Sequence, residues 1–301
     1  MNKNVFTAIA GRANTGKSTL MNLLVGDKVA IVSNKPQTTR TKIHGIITEN
    51  NTQFIFIDTP GFHRAENRLS EHMVKQARSG VAGADVILMV ADCTKKFSPA
   101  DLSLVESFKE LEVDVLLLLN KVDLVKDKTK LLGIIERYSK LYEFAEIIPI
   151  SAKTGENTEK ILPALEKYAE ETEEHYFPSD ISTDQAEKIW LSEIVREKIL
   201  RTMREEIPFG TAVEIESMKE SETNKGKDII DLSVVIYCEK ASHKGMLIGK
   251  QGQNLKKIGS EARLEMEEYF KCKVNMELWV KVKEDWRNKE GFITDLGLNA
   301  E

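Results

Sequence analysis

The residues Gly11-Arg-Ala-Asn-Thr-Gly16-Lys17-Ser18 fit the pattern GxxxxGK[ST], set between an apolar run at 5–10 and a helical pattern at 18–25. The chemistry of that spacing is phosphate binding. Backbone N–H groups of Gly11, Arg12, Ala13, Asn14, Thr15 and Gly16 curl around phosphate oxygens, and the following helix N-terminus adds positive potential. Lys17 is expected to reach the β- and γ-phosphates and the Ser18 hydroxyl to bind Mg²⁺. Asp58-Thr59-Pro60-Gly61 follows the apolar run at 54–57, placing a carboxylate for the same Mg²⁺ and a Gly61 N–H able to sense a γ-phosphate. Asn120-Lys121-Val122-Asp123 follows another apolar run. The Asp123 carboxylate suits the paired donors on the Watson–Crick edge of guanine, which adenine lacks, while Asn120 and Lys121 brace the loop and flank the base. Ser151-Ala152-Lys153 offers a backbone N–H to the guanine carbonyl. Each motif ends a strand-like run, and their order points to GTP and GDP rather than ATP.

These loops need a frame. Apolar runs at 5–10, 54–57, 86–91, 115–119 and 147–150 alternate with helical spacing across 18–25, 69–82, 99–111 and 130–141. Buried strands alternating with helices predict an α/β domain, a parallel sheet with helices on both faces, over residues 3–170. Its chemistry belongs on loops at the carboxyl ends of the strands. Residues 171–200 read as a linker and a leading helix, with apolar Leu191, Ile194, Val195 and Ile199 on one face. Then come strands at 211–218 and 228–238, a glycine loop, a helix carrying Leu255, Ile258, Ala262 and Met266, and a strictly alternating strand at 274–283. The order α-β-β-α-α-β predicts a smaller α+β domain over 201–280, followed by a tail at 281–301.

The second domain carries its own motif. Lys244-Gly-Met-Leu-Ile-Gly249-Lys250-Gln251-Gly252 holds GxxG between helical segments. Glycines there let a sugar-phosphate backbone approach closely, and Lys244, Lys250, Lys256 and Lys257 supply charge. The net charge of the 301-residue chain, −5, gives no reason to expect a nucleic-acid partner. Its distribution does: residues 175–301 carry 20 Lys and Arg against 24 Asp and Glu, yet 240–260 holds five lysines and no acid. No aromatic residue interleaves that stretch, so hydrogen bonds and an apolar groove would read single-stranded RNA there. Hydrophobic residues at 41% and charged residues at 30% exclude a disordered or collagen-like chain. Cys93, Cys238 and Cys272 are widely spaced, which fits neither a zinc site nor a disulfide framework and predicts a reducing compartment. No signal-peptide pattern opens the chain, and no run approaches the roughly 20 apolar residues of a membrane span.

The four nucleotide motifs resemble those of the translation-factor-related GTPases. In that resemblance Gln37-Thr-Thr-Arg-Thr41 matches the first switch segment, with Thr39 as the Mg²⁺ ligand and Thr38 as the alternative. Lys17, Thr39 and Gly61 are then the catalytic positions, and Ser18, Thr39 and Asp58 the metal positions. Asn14 matches an asparagine tied to K⁺-assisted hydrolysis in related enzymes. Where signalling GTPases carry a water-orienting glutamine this chain has Phe62, which can neither donate nor accept a proton, so slow intrinsic turnover stimulated by RNA or a ribosomal particle is expected. The GxxG loop in its α-β-β-α-α-β context resembles a type-2 KH domain. The two domains together, with Tyr176-Phe-Pro-Ser-Asp-Ile-Ser-Thr-Asp184, Glu193-Ile-Val-Arg-Glu-Lys198, Val213-Glu-Ile-Glu216 and His243-Lys-Gly-Met-Leu-Ile-Gly-Lys250, resemble the Era family of bacterial ribosome-assembly GTPases across nearly the whole chain. The resemblance implies binding near the 3′ end of 16S rRNA during 30S subunit assembly, with GTP favouring the RNA-bound conformation. It also implies a cytoplasmic monomer with peripheral association at the inner face of the cell membrane. Two alternatives stay open: a nucleotide-regulated RNA-binding module with negligible turnover, and a GTPase signalling at the membrane.

Overall fold

The computed structural model describes residues 1–61, 65–222 and 228–299. The chain folds as two units, one built from Met1–Glu66 and Ser70–Asp184 and the other from Asn67–Leu69 and Gln185–Asn299. The first contains β1 (Asn2–Ala10), α1 (Lys17–Val25), β2 (Ile43–Glu49), β3 (Thr52–Asp58), α2 (Arg68–Ala82), β4 (Val86–Asp92) and α3 (Pro99–Phe108). It continues through β5 (Asp114–Asn120), α4 (Thr129–Ser139), β6 (Glu146–Pro149), α5 (Ile161–Glu166) and β7 (Glu170–Thr172).

Among the described residues these strands form one seven-stranded sheet, ordered β2-β3-β1-β4-β5-β6, with β7 added beside β1. Strands β3, β1, β4, β5 and β6 run parallel. Along β4, Val86, Leu88 and Val90 enter one core while Ile87, Met89 and Ala91 enter another. That alternation is why the strand reads as an unbroken apolar run: both faces are covered. Helix α1 starts after Gly16 (φ 102°) and stops at Gly26 (φ 78°), whose N–H caps the Asn22 carbonyl. Helix α3 opens with a capping box between Ser98 and Asp101 and with Pro99 in its first turn.

The sheet is not wholly parallel. Strand β2, absent from the sequence expectation, pairs antiparallel with β3 through a two-residue turn, Asn50 (φ 50°) and Asn51 (φ 65°). Two consecutive left-handed residues match the twist of a hairpin, and asparagine tolerates that region. Strand β7 pairs antiparallel with Asn2–Asn4, where β4 has not yet joined β1.

The stretch expected as linker and leading helix, 171–200, divides between the units. Its first part is strapped to the first unit. The Gln53 amide both donates to and accepts from the Phe177 backbone at 2.8 Å, Ile46 N–H donates to Ser182 O at 2.8 Å, and His44 Nδ1 meets Asp184 Oδ2 at 2.7 Å. Tyr176 sets its ring edge-on to Phe6 at 5.2 Å.

The second unit begins with α6 (Glu187–Thr202), followed by β8 (Thr211–Glu222), β9 (Asp228–Cys238), α7 (Ala241–Ile248), α8 (Gln253–Phe270), β10 (Lys273–Val282) and α9 (Glu290–Asp295). Its sheet runs β10-β9-β8, with β10 parallel and β8 antiparallel to β9. Leu191, Ile194, Val195 and Ile199 of α6 are fully buried and share a core with Ile258, Ala262 and Met266 of α8, so α6 belongs to this core. The stretch expected as a tail also adds to the unit: Trp286 is fully buried and its Nε1 donates to Gly210 O at 2.9 Å. Among the described residues no helix is long and apolar enough to cross a membrane.

Candidate nucleotide and nucleic-acid sites

Four loops at the carboxyl ends of β1, β3, β5 and β6 meet, and a cleft of about 740 Å³ runs over residues of all four, including Gly16, Lys17, Gly61, Asp123 and Lys153. Two of its glycines have no substitute. A Cβ on Gly11 would stand 2.5 Å from Val90 O, and one on Gly16 2.3 Å from Asn120 Nδ2. Both also hold φ angles, 154° and 102°, that L side chains rarely adopt. Lys17 is buried, its ammonium folded onto the carbonyl oxygens of Gly11 (3.1 Å) and Arg12 (3.2 Å).

Beside Lys17 lies an oxygen cluster. Asp58 Oδ2 accepts from Ser18 Oγ at 2.6 Å and from Thr39 Oγ1 at 3.1 Å, and the two hydroxyls are 3.1 Å apart. Thr39 therefore joins the cluster, while Thr38 Oγ1 donates to Lys35 O at 2.7 Å. Burial pushes the Asp58 carboxyl up, against the opposing pull of Lys17, Ser18, Thr39 and the Thr59 backbone. Burial likewise pushes Lys17 down, against the attraction of Asp58. Asp58 Oδ1 is buried with no hydrogen-bond partner among the described residues. An orphaned carboxylate oxygen beside two hydroxyls is a hard-oxygen donor set that fits Mg²⁺.

At the other end of the cleft, Asn120 ties three loops together. Its Nδ2 donates to Thr15 O at 2.7 Å, and its Oδ1 accepts from the N–H groups of Lys121 (2.8 Å) and Ala152 (2.9 Å). Asp123 is exposed at the cleft with Oδ1 fixed by Ser151 Oγ at 2.7 Å. The Ala152 N–H thus serves the loop. Thr59, Pro60 and Val122 are buried: Thr59 Oγ1 donates to Ile9 O at 3.2 Å and Val122 N–H to Ile150 O at 3.1 Å. Phe62 lies outside the described residues.

Sequence reasoning missed several supports. Asp101 of α3 accepts from Arg12 Nη1 at 3.0 Å and from Ser98 N at 2.9 Å, anchoring the phosphate loop to a helix cap. Asn14 Nδ2 donates to Asn34 O at 2.8 Å, joining the phosphate loop to the segment before β2. Asn22 accepts from the N–H groups of Val29 and Ala30 and donates to Ala30 O, holding the start of that segment. Asp92 contacts Lys121 Nζ at 2.7 Å. The sign available in sequence was position alone: Asp92 ends β4 beside β1, where α/β sites gather.

In the second unit α7 ends at Gly249 (φ 74°), and Gln251 (φ 52°) and Gly252 (φ 76°) turn the loop into α8. A Cβ on Gly249 would meet the Asn254 side chain at 2.8 Å, and Asn254 Nδ2 donates to Met246 O at 2.8 Å, which pins the turn. Lys244, Lys250, Lys256 and Lys257 are exposed around it, and Lys257 stands 3.9 Å from Glu261. Next to the loop a groove of about 440 Å³ runs between α8 and β10, lined by Gly252, Leu255, Lys256, Gly259, Ser260, Arg263, Met276 and Leu278. Cationic groups on an apolar floor suit a single strand whose phosphates stay outside while its bases enter.

Residues 6–121 match the family described as 50S ribosome-binding GTPase, and residues 206–287 match the KH domain family. GTPase Era of Clostridioides difficile strain 630 is 45% identical over 299 residues, covering 99% of both chains. GTPase Era of Clostridium perfringens strain 13 is 44% identical, covering 99% of this chain and 98% of its own. Two solved structures superpose with TM-score 0.94. One is an Era in complex with MgGDPNP and nucleotides 1506–1542 of 16S ribosomal RNA, 36% identical, covering 99% of this chain and all of its own. The other is a substituted Era of Aquifex aeolicus bound to GDP and AlF4⁻, 37% identical, covering 99% of each. With its phosphate cradle, its guanine-suited loop and its KH unit in one chain, this protein belongs to the Era family of GTPases.

Proposed function

We propose that the chain is a GTP-hydrolysing switch that binds small-subunit ribosomal RNA near its 3′ end through the KH unit and acts in 30S subunit assembly. The observation that carries this is the second unit's pinned GKQG loop, with exposed lysines on a groove of about 440 Å³, in a chain that superposes at TM-score 0.94 on an Era bound to 16S rRNA nucleotides.

Within the first unit, Gly11–Ser18 cradles the phosphates and Lys17 brings its charge to the β/γ side. Ser18, Thr39 and Asp58 would hold Mg²⁺, which would offset the charge of the transferring group. Thr39 reaches that set from the segment before β2, so a γ-phosphate that favoured this arrangement would help hold that segment over the cleft. Asp123, oriented by Ser151, accepts from the guanine edge. Phe62 leaves the attacking water without a side-chain base at that position, which supports slow turnover awaiting RNA or K⁺, with Asn14 as the K⁺ candidate. Peripheral membrane association has the support of Lys240, Lys244, Lys250, Lys256 and Lys257 alone, and the chain is proposed to act as a monomer.

The test is single-turnover GTP hydrolysis with and without an RNA spanning the 3′ end of 16S rRNA, combined with mapping of RNA crosslinked to the GTP-bound protein. Stimulated hydrolysis with crosslinks at that 3′ end is expected. Crosslinks elsewhere would overturn the RNA assignment, and RNA binding without any turnover would favour the nucleotide-regulated binding module.

A further inference from the structure

Lys121 stands at φ 71°, in the left-handed region that a long side chain occupies only when its surroundings hold it there. Its ammonium makes two contacts of equal length, 2.7 Å to Asn14 O in the phosphate loop and 2.7 Å to Asp92 Oδ2. Asp92 closes β4 and lies outside all four nucleotide motifs. It is fixed from its other side: Oδ1 accepts from Thr94 N at 2.9 Å and from Thr94 Oγ1 at 2.6 Å. The next residue's N–H, that of Cys93, donates to Asn120 O at 3.0 Å, so the ends of β4 and β5 are locked in register. The Asp92 side chain is 6% exposed and that of Lys121 29%. Burial opposes ionisation of Asp92, but the contacts from Lys121 and Thr94 outweigh it and hold the carboxyl below its ordinary range. A permanent anion therefore sits under the ammonium that borders the base cleft.

We propose that Asp92 is a positioning residue for guanine nucleotides, fixing the Lys121 side chain as a wall of the base cleft and, through its contact with Asn14 O, the spacing between base loop and phosphate loop. The proposal rests on the guanine reading of the cleft given above. Without the carboxylate, the ammonium keeps one partner, and its four-carbon stem regains rotamers that must be frozen again each time a nucleotide binds. The expected signature is faster nucleotide release. It should be the same for GDP and GTP, because neither Asp92 nor Lys121 belongs to the oxygen cluster at Asp58 where a γ-phosphate would be felt.

The experiment uses the full-length protein, a fluorescent GDP analogue, and competition by GDP, GTP and ADP. Asp92→Asn keeps the shape and an acceptor for Thr94 but removes the charge. It should weaken GDP and GTP alike by roughly tenfold, raising KM for hydrolysis while kcat holds. Lys121→Ala should weaken binding by a similar factor, and adding Asp92→Asn to it should cost nothing more, since the two act as one unit. A substitution that merely loosened the fold would instead cost affinity in both backgrounds. Should Asp92→Asn fail to fold, Thr94→Val, which removes the 2.6 Å contact and leaves the carboxylate, should weaken GDP by about threefold. Unchanged GDP affinity in a folded Asp92→Asn or Thr94→Val protein, or additive losses in the double variant, would overturn the proposal. A native protein that bound ADP as tightly as GDP would instead overturn the guanine reading beneath it.

Discussion

Thr39 Oγ1 donates to Asp58 Oδ2 at 3.1 Å, sharing that carboxylate oxygen with Ser18 at 2.6 Å. A hydroxyl from the loop before β2 and a carboxylate from the end of β3 thus meet over the helix that follows the phosphate loop. Removing the Thr39 hydroxyl takes a donor from the charge-developing side of the site. Thr39→Ala should slow hydrolysis about 10²-fold while GDP affinity stays near that of the native protein. Thr38→Ala, whose hydroxyl serves Lys35 O, should leave the rate nearly intact. Single-turnover rates of both variants, across a Mg²⁺ titration, decide between the two threonines.

Guanine selection should follow Asp123. Its Oδ1 is oriented by Ser151 Oγ at 2.7 Å, so Asp123→Asn would turn one acceptor into a donor without moving the side chain. Affinity for GDP should fall by roughly 10² or more, because the donors on guanine would then face a donor. Xanthosine diphosphate, with a carbonyl where guanine carries its amine, should bind the variant better than GDP does. Competition titration with both nucleotides gives the ratio, and a variant that still preferred GDP would rule out direct reading by Asp123.

Lys250→Glu should separate the two binding sites. Lys250 is exposed on the turn that Asn254 pins, outside the first unit. RNA affinity should fall at least tenfold, and its dependence on salt should flatten by about one counterion. GDP affinity should be unchanged. RNA titrations at two ionic strengths, paired with one GDP titration, suffice to check this.

A buried ionic group sits in the second unit. Lys198 Nζ bonds Glu197 Oε2 at 2.8 Å and also contacts Glu265, while Glu197 is fully buried. Replacing Lys198 by Met leaves that carboxylate with Arg201 at 3.0 Å and a desolvation cost no longer offset. Urea unfolding of Lys198→Met should show a loss of about 3 kcal/mol. A loss below 1 kcal/mol would mean that Glu197 stays compensated without Lys198.

The strap over the first unit should be acid-sensitive. Burial opposes ionisation of Asp184, but the hydrogen bond and charge of His44 outweigh it and hold the carboxyl below its ordinary range. A carboxyl depressed on folding stabilises the fold above its unfolded pKa, and that stabilisation fades as pH falls through the folded value. Asp184→Asn should therefore be less stable than the native protein near pH 7, by a margin that narrows at pH 3. Denaturant midpoints at the two pH values make the comparison.

The parallel strands were legible because covering both faces of a sheet forces unbroken apolar runs such as Val86–Ala91. The motif loops were legible because phosphate binding leaves few residue choices. Strand β2 was not, since Ile43-His-Gly-Ile-Ile-Thr-Glu49 mixes small, polar and apolar residues at an edge, and its one clear sign was the Asn50-Asn51 turn. Strand β7 is three polar residues, Glu-Glu-Thr, without any pattern of its own. The strap escaped notice because its contacts are side-chain amides on distant backbone, as between Gln53 and Phe177, which leave no periodicity. Asp92 was hidden for a related reason: its role is defined by a partner 29 residues away and not by its neighbours. The choice between Thr38 and Thr39 needed geometry, because adjacent identical residues differ only in where their hydroxyls point.

Gly16 acts as a spacer. The Asn120 amide stands where its Cβ would be, 2.3 Å away, and the same amide donates to the carbonyl of Thr15. The two halves of the cleft are thus gauged against a single hydrogen atom. Thickening that contact with one methyl group, as in Gly16→Ala, would push apart the part that feels phosphate and the part that feels the base. A defect normally filed under phosphate affinity should then surface equally as lost discrimination between guanine and adenine, a mechanical error propagating along one side-chain amide.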